Sequence, residues 1–209
     1  MGATPQLWKA TYEAETAEEL AEAYREWACL YDHDTCRTMG YVGPETAARM
    51  LDRHLDSRES RVMDAGCGTG LVGKILDRMG YSHVDGMDYS RDMLREARKK
   101  QVYRTLMQGD MNERLAIDDD HYDATICVGT FTYAHVGPEA FNELVRITRP
   151  GGIVCFTIRD GAYQDYDYRS AMLRMEAGDS WELQELRERD YLTHENVTAK
   201  FCTYKVRSN

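Results

Sequence analysis

Residues 62–70 combine an acidic residue with three glycines at alternate positions. Asp64 is followed by Gly66, Gly68 and Gly70, between a short apolar run and a stretch of helical periodicity. Glycines permit a tight turn and let the backbone approach a ligand closely. Unpaired amide groups at the start of the following helix would then point at the bound molecule. The segment therefore predicts a ligand-binding turn between a strand and a helix.

The spacing of these glycines discriminates between classes of ligand. Dinucleotide-binding turns follow the pattern G-x-G-x-x-G, whereas here Leu71 holds the place of the third glycine. The carboxylate of Asp64 would repel a pyrophosphate but suits a positively charged amino-acid group. We therefore favour S-adenosylmethionine as the cofactor, with S-adenosylhomocysteine as its product, over NAD. The residues expected to bind it here are Asp64, Gly66, Cys67, Gly68 and Gly70.

Two more acidic residues stand where the next predicted strands end. Asp88 ends the second strand, and a carboxylate at that place can accept hydrogen bonds from two ribose hydroxyls. Asp110 follows the third strand and could accept from an adenine amino group, while the backbone N–H of Met111 meets a ring nitrogen. The side chains of Met93 and Met111 could pack against the faces of the adenine. These acids follow successive strands in order, which favours a nucleoside-containing cofactor.

Alternating periodicities predict the elements that position these residues. Strands are predicted at residues 61–66, 83–88, 104–110, 122–129 and 153–160. Helices are predicted at residues 71–80 and 91–100, and a third begins at Gly137; residues 149–152 are predicted to form a turn. Strands that alternate with helices imply a parallel sheet covered by helices on both faces.

The two ends of the chain have different patterns. Thr16 and Glu19 form a capping-box sequence, and the helix after it places Ala23, Trp27 and Leu30 on one face. A loop-like segment precedes a second helix, at residues 43–55, with proline at its start. Towards the C-terminus, residues 181–192 and 199–206 are predicted to pair as antiparallel strands and to close one edge of the sheet.

Composition excludes several classes of partner. The chain has 26 basic and 36 acidic residues, a net charge of −10, which argues against a nucleic-acid substrate and against an anionic membrane surface. No apolar run approaches the roughly 18 residues of a membrane span, and no secretory signal is visible. The six cysteines include no C-x-x-C pair, which indicates reduced thiols in the cytoplasm. Three consecutive acids at residues 118–120 cannot easily converge on one ion, so no metal site is expected.

With these motifs, the sequence resembles the class I methyltransferases that use S-adenosylmethionine. More specifically it resembles the small-molecule superfamily that includes ubiquinone-pathway enzymes and the Williams-Beuren syndrome region methyltransferase-like proteins. The family motifs match residues 64–70, Asp88, residues 110–111, residues 128–135 after the fourth strand, and residues 150–152. Residues 27–32 resemble the W-A-x-x-Y-D stretch of the Williams-Beuren type. The likeness covers residues 20–160 well and the tail only by layout.

The resemblance implies an α/β fold: a Rossmann-like, mostly parallel sheet of seven strands, with an antiparallel C-terminal hairpin and N-terminal cap helices. The sequence has no repeat, low-complexity tract or linker, which predicts a single domain. We expect cap helices at 1–56, a cofactor-binding core at 57–160, and a substrate cover with the closing hairpin at 161–209. The resemblance also implies that Tyr31 lies over the methionine end of the cofactor. Tyr89, Val128 and Gly129 complete the expected cofactor site.

The implied reaction is transfer of a methyl group to an O, N or S nucleophile of a small molecule by in-line displacement. His135 is a candidate base and Tyr133 a candidate for orienting the acceptor; the alternatives are a histidine bonded near the next helix and a rim aromatic. The expected substrate-binding residues are Tyr24, Tyr31, Tyr133 and Arg159. Arg159 could hold a carboxylate or pair with Asp160 or an acid of the tail. Residues 164–175 are expected to cover the substrate.

Two departures from the family and three other functions have to be weighed. The His-His or Leu-His pair that is common after the fourth strand is replaced here by residues 129–135, and an Asn/Asp-Pro-Pro-Tyr/Phe motif is absent. That absence argues against methylation of exocyclic amines of nucleic acid and against methylation of glutamine. A protein side chain as acceptor would need an open groove. A non-catalytic subunit that only binds the cofactor is a further alternative, and an NAD oxidoreductase is disfavoured by Leu71. The oligomeric state is not predicted.

Overall fold

The computed structural model describes residues 8–14, 16–132 and 136–208. Its helices are α1 (Trp8–Glu13), α2 (Ala17–Trp27), α3 (Tyr31–His33), α4 (Gly43–Asp52), α5 (Leu71–Arg78), α6 (Arg91–Lys100), α7 (Ala140–Ile147), α8 (Asp160–Asp165) and α9 (Tyr168–Ala177). Its strands are β1 (Val62–Ala65), β2 (Val84–Asp88), β3 (Thr105–Gln108), β4 (Tyr122–Phe131), β5 (Thr148–Arg159), β6 (Trp181–Leu192) and β7 (Val197–Val206).

The seven strands form one sheet in the order β3-β2-β1-β4-β5-β7-β6. Strands β1 to β5 pair in parallel, whereas β7 is antiparallel to both β5 and β6. The predicted α/β class, with its Rossmann-like sheet and reversed C-terminal hairpin, is confirmed. The carboxyl ends of the parallel strands share one edge of the sheet, and they bring the predicted acidic residues together there.

Aromatic rings on one face of the sheet join the C-terminal hairpin to β5 and α7. Trp181 of β6 stacks on Tyr204 of β7 with ring centroids 4.1 Å apart, and Phe156 of β5 stacks on Tyr204 at 5.9 Å. Phe141 of α7 packs against both Phe156 and Trp181. All four side chains are fully buried. Burial of these large aromatic surfaces stabilises this end of the sheet. The periodicity of the sequence did not predict this packing.

The segment predicted as a loop after α2 is helical. It contains α3 and a π-helical turn at Asp34–Thr38. The N–H of Met39 donates to the carbonyl of Asp34, and the indole N–H of Trp27 donates to the carboxylate of Asp34 at 2.9 Å. The second of these bonds joins the segment to α2, and the helical turns depend on such partners rather than on local propensity. Leu30, expected on the buried face of α2, follows that helix and is 41% exposed.

Residues 149–152 do not form a simple turn between helix and strand. Strand β5 begins at Thr148, which already pairs with Tyr122 of β4, and the next paired residue is Ile153 with Ala124. The intervening residues therefore bulge out of the ladder, and Gly151 has a φ of +76°. Because Thr148 already pairs with β4, the residues predicted as a turn lie within β5.

Other boundaries differ in smaller ways. Helix α7 begins at Ala140, because residues 137–139 form a turn in which Ala140 and Phe141 donate to the carbonyls of Gly137 and Pro138. Helix α4 ends at Asp52, three residues early. The predicted cover at 164–175 is divided between α8 and α9, and α1 was not predicted.

The capping box at α2 is present as predicted. None of the helices in the described ranges is long and apolar enough to cross a bilayer.

Candidate cofactor and acceptor site

A cavity lies at the carboxyl ends of β1, β2, β3 and β4, and we call it the first cavity. The predicted cofactor or substrate residues that line it are Tyr24, Tyr31, Gly66, Gly68, Asp88, Tyr89, Met93, Asp110, Met111, Val128 and Gly129. Met87, Ser90, Asn112 and Thr130 also line it. The cavity therefore joins residues from the glycine turn, from the ends of three strands and from the N-terminal helices.

The glycine turn is held by the end of β2. The N–H groups of Gly66 and Cys67 donate to the carbonyl of Met87 at 2.8 and 2.9 Å. The N–H of Gly68 donates to a carboxylate oxygen of Asp88 at 2.7 Å. Gly66, Gly68 and Gly70 have φ values of +73°, +53° and +90°, a region that side chains disfavour. The alternate glycines are therefore required by the turn itself.

Asp88 has a structural task besides the predicted one. Its second oxygen accepts from the N–H of Ser90 at 2.8 Å, so each carboxylate oxygen already accepts one backbone bond. Burial raises the pKa of Asp88, and these two backbone hydrogen bonds oppose the shift. Each carboxylate oxygen has capacity for a further acceptor bond. The residue fits a ribose with two neighbouring hydroxyls while it also shapes the glycine turn.

The part of the first cavity that is lined by Met93, Met111 and Val128 suits a flat aromatic group. Met93, Met111 and Val128 are 3%, 6% and 8% exposed and present apolar surface. Asp110 accepts hydrogen bonds from the N–H and the side-chain amide of Asn112 at 2.9 and 3.0 Å. These bonds hold the Asp110 carboxylate at the cavity wall. The combination of apolar faces and an acceptor matches the needs of an adenine.

Three predicted cofactor residues do not line the first cavity: Asp64, Cys67 and Gly70. Asp64 is 1% exposed and lies behind the turn, where the hydroxyl of Tyr103 donates to one of its oxygens at 2.5 Å. The N–H of Gly73 donates to the same hydroxyl at 3.2 Å. Within the described ranges, the other oxygen of Asp64 has no hydrogen-bond partner. A buried, partly unsatisfied carboxylate behind the turn fits a cationic ligand in front of it.

Sequence patterns gave no hint of Tyr103. Its ring fills a slot between Gly73 and Gly86, where an added Cβ would lie 2.2 and 3.0 Å from the ring. Gly73 is on α5 and Gly86 is on β2, so both glycines make room for one side chain. A tyrosine just after a lysine-rich helix end carries no recognisable motif. Only the packing shows that it supports Asp64.

Burial raises the pKa of Asp64 to about 7, a shift that the bond from Tyr103 opposes and the charge of Asp88 reinforces. A raised carboxyl pKa means that the folded protein binds the proton more tightly than the unfolded chain does. Stability attributable to Asp64 is then greatest at low pH and is lost as pH rises from about 4 towards 7. Above pH 7 the cost of the buried charge is constant.

Asp64→Asn should remove this pH dependence from the ligand-free protein. The variant keeps an oxygen for Tyr103 but carries no charge, so its stability relative to wild type should rise between pH 5 and pH 7, by up to about 1.4 kcal/mol per pH unit. Denaturant unfolding at several pH values measures this difference. Parallel wild-type and variant curves would contradict the raised pKa. Tyr103→Phe, which removes the opposing hydrogen bond, should move the window to higher pH.

A second cavity adjoins the first and shares Tyr24, Tyr31 and Gly129 with it. Its remaining lining residues are Thr11, Trp27, Thr35, Met39, Tyr41, Thr132, Arg159, Tyr191 and Leu192. The structure thus places the predicted substrate residues Tyr24, Tyr31 and Arg159 around one space. Tyr133 and His135 lie outside the described residues. Asp160, considered as a partner for Arg159, is 3.1 Å from the amine of Lys200.

Two tyrosines that the sequence did not single out stand where the cavities meet. The hydroxyls of Tyr41 and Tyr191 are 2.9 Å apart. A Cβ added at Gly129 would lie 2.7 and 3.1 Å from these two oxygens, so a larger residue has no space there. The φ of Gly129 is +83°, which also favours glycine. Tyr191 comes from β6 and Tyr41 precedes α4, so only the fold unites them.

Comparison with known proteins identifies the chemistry of this arrangement. Residues 63–156 match the family model described as a methyltransferase domain. The chain is 30% identical to methyltransferase-like protein 27 of Homo sapiens over 191 residues, which are 87% of this chain and 77% of that protein. The chain belongs to the class I methyltransferases that use S-adenosylmethionine. The methyltransferase fold is shared with the S-adenosylmethionine-dependent methyltransferase of Mesorhizobium loti, with a TM-score of 0.60 at 18% identity, over 78% of this chain and all of that one.

A second relative of this methyltransferase is the malonyl-[acyl-carrier protein] O-methyltransferase of Pectobacterium atrosepticum. The two are 31% identical over 151 residues, 71% of this chain. The methyltransferase spans only 56% of that relative's length. The predicted family, enzymatic activity and cofactor are thereby confirmed: S-adenosylmethionine is the cofactor, and methyl transfer is the activity.

Proposed function

We propose that this methyltransferase transfers the methyl group to an O, N or S nucleophile of a small molecule that occupies the second cavity. The observation that carries the proposal is the adjoining pair of cavities that share Tyr24, Tyr31 and Gly129. An acceptor in the second cavity would reach the cofactor beside these three residues. A pocket walled by aromatic side chains with a few polar groups is typical of small-molecule sites.

The proposed division of labour follows the two cavities. The glycine turn, Asp88, Asp110 and Met111 bind the cofactor, which supplies an activated methyl group when bound. Tyr24 and Tyr31 hold the acceptor in line, and such positioning contributes roughly 7–11 kcal/mol to rate acceleration. The cap at residues 1–56 excludes water from the core at 57–160, and residues 161–209 complete the substrate cover.

Three further groups are proposed to act on the acceptor. Arg159 lies on the wall of the second cavity and would hold an anionic group such as a carboxylate by charge-assisted hydrogen bonds. His135 accepts a proton where the nucleophile must lose one, and Tyr133 orients the acceptor.

A relative named for O-methylation of a malonyl group supports an oxygen nucleophile. All six cysteines are free thiols, which supports the proposal that the protein works in a reducing compartment such as the cytoplasm.

Incubation with methyl-labelled S-adenosylmethionine and panels of small carboxylic acids, phenols, amines and thiols tests this proposal. Label is expected in at least one small-molecule panel. For an acceptor that carries an anionic group, Arg159→Gln should raise KM by about tenfold, because a charge-assisted bond is lost, and cofactor affinity should stay unchanged. His135→Ala should likewise leave cofactor affinity intact.

Unfolded polypeptides incubated under the same conditions provide the alternative acceptor. Label that enters polypeptide and no small molecule would overturn the proposal in favour of protein side-chain methylation. Collapse of cofactor binding in His135→Ala would move His135 into the cofactor pocket and place the acceptor elsewhere.

A further inference from the structure

Asp32 joins three segments of the chain that are distant in sequence. One of its carboxylate oxygens accepts from the hydroxyl of Thr69 at 2.5 Å, and the other lies 2.7 Å from the amine of Lys100. The same amine donates to the backbone carbonyl of Thr69 at 2.5 Å. The three residues thus form a closed ring of polar contacts, the Asp32–Thr69–Lys100 cluster.

The cluster is shielded more than an ordinary surface ion pair. The Lys100 side chain is 15% exposed and Thr69 is 2% exposed, whereas the Asp32 side chain remains 41% exposed. Lysines are rarely so covered unless their charge is paired. Exposed ion pairs contribute little, because water screens them and ordering two side chains is unfavourable. Here the Lys100 amine is already held by the carbonyl of Thr69, so much of that ordering is in place.

The position of the cluster relates the two cavities. Thr69 lies between Gly68 and Gly70 in the glycine turn, and Gly68 lines the first cavity. Asp32 lies in α3 directly after Tyr31, which lines both cavities. Tyr31 and Asp32 are consecutive residues of α3, so a displacement of the Asp32 backbone also displaces Tyr31. A change in the turn is therefore transmitted to the cap.

We infer that Asp32 and Lys100 are positioning residues that couple cofactor binding at the glycine turn to the placement of Tyr31 and the cap. Cofactor in the first cavity fixes the turn, the turn fixes Thr69, and Thr69 with Lys100 fixes Asp32. The cap in turn retains the cofactor. Cofactor binding then stabilises the acceptor cavity, because it holds Tyr31 in the wall that the two cavities share; this last consequence rests on the proposed acceptor site.

The release rate of S-adenosylhomocysteine tests the coupling, because it needs no acceptor. Asp32→Asn keeps an acceptor for Thr69 but loses the ion pair, and Lys100→Met loses both bonds of the amine. Each is expected to speed release about 5- to 30-fold. The double variant should release no faster than the faster single one, because both act through one cluster. Lys100→Arg, which keeps the charge, should recover part of the retention.

Lys99→Met is the matched control. Lys99 neighbours Lys100 on α6 but pairs with Glu96 at 2.7 Å and is 64% exposed. Its release rate should stay within about twofold of wild type, as expected for a screened surface pair. Stopped-flow displacement of bound S-adenosylhomocysteine measures all these rates, and thermal unfolding of the ligand-free variants shows whether they fold.

Hydrogen exchange separates coupling from a merely structural role. In wild type, S-adenosylhomocysteine should slow amide exchange both in the turn at residues 66–70 and in the segment at residues 28–39. In Asp32→Asn it should still slow exchange in the turn but no longer in residues 28–39. Equal protection of both segments in the variant, or unchanged release rates, would overturn the inference. Absence of binding to wild type would instead contradict the cofactor assignment.

Discussion

Asp88→Ala is expected to weaken binding of S-adenosylmethionine and S-adenosylhomocysteine by at least tenfold. The substitution removes the acceptor for ribose hydroxyls, and each hydrogen bond to a charged group contributes about 1.5–3 kcal/mol. It also removes the acceptor for the N–H of Gly68 at 2.7 Å and for the N–H of Ser90 at 2.8 Å. The turn that presents the cofactor site therefore loses one of its anchors. Calorimetric titration of the folded, ligand-free protein measures the affinity.

Two further variants make this result specific. Asp88→Asn keeps a carbonyl oxygen but no charge, so its affinity should fall between those of wild type and Asp88→Ala. Asp92→Ala is the control, since Asp92 belongs to α6, pairs with Arg95 at 2.7 Å and is not among the residues of the first cavity. Its affinity should match wild type. An unchanged affinity in Asp88→Ala would show that the ribose is not bound at the end of β2.

Among substitutions that add one methyl group to the site, Gly66→Ala should reduce stability and cofactor binding the most. Gly66 has a φ of +73°, and a Cβ there would lie 2.2 Å from the hydroxyl oxygen of Thr130. Left-handed backbone costs a non-glycine residue roughly 1–2 kcal/mol, and overpacking in a buried place adds about 1–3 kcal/mol. We expect the free energy of unfolding to fall by about 2–5 kcal/mol, together with loss of cofactor binding.

The strain and the clash can be separated. Gly80 has a φ of +92° but no atom within 4 Å of an added Cβ, so Gly80→Ala should show the backbone strain alone. Thr130→Ala combined with Gly66→Ala removes the atom at 2.2 Å and leaves the Thr130 Cβ position at 3.4 Å. In denaturant unfolding, the double variant should recover the share of the lost unfolding free energy that is due to overpacking. A loss no larger than that of Gly80→Ala would show that Thr130 moves aside without penalty.

The sequence by itself was sufficient to predict the sheet and most of its helices, and it predicted where the cofactor binds. Helical and strand periodicities are local, and the glycines after Asp64 need left-handed backbone wherever the chain folds into that turn. Asp88 and Asp110 follow strands, and the carboxyl ends of parallel strands must meet at one edge of the sheet. The two extended stretches of the tail were sufficient to predict the antiparallel hairpin at β6 and β7.

Several features were decided by tertiary structure alone. Asp64 was predicted beside the cofactor, and the ring of Tyr103 encloses it behind the turn. This burial raises the pKa of Asp64 to about 7, although the hydrogen bond from Tyr103 opposes the shift. Helical structure at 31–38 depends on bonds such as that from Trp27 to Asp34, and the bulge in β5 depends on the pairing of Thr148 with β4.

The same reason explains the features without any sequence signal. Asp32, Thr69 and Lys100 lie on three separate segments, and the hydroxyls of Tyr41 and Tyr191 meet only after β6 has joined the sheet. Local sequence encodes backbone preference, which acts within a few residues. Burial, pairing of charges and the space beside a glycine arise from residues far apart in the chain, so only the packed molecule settles them.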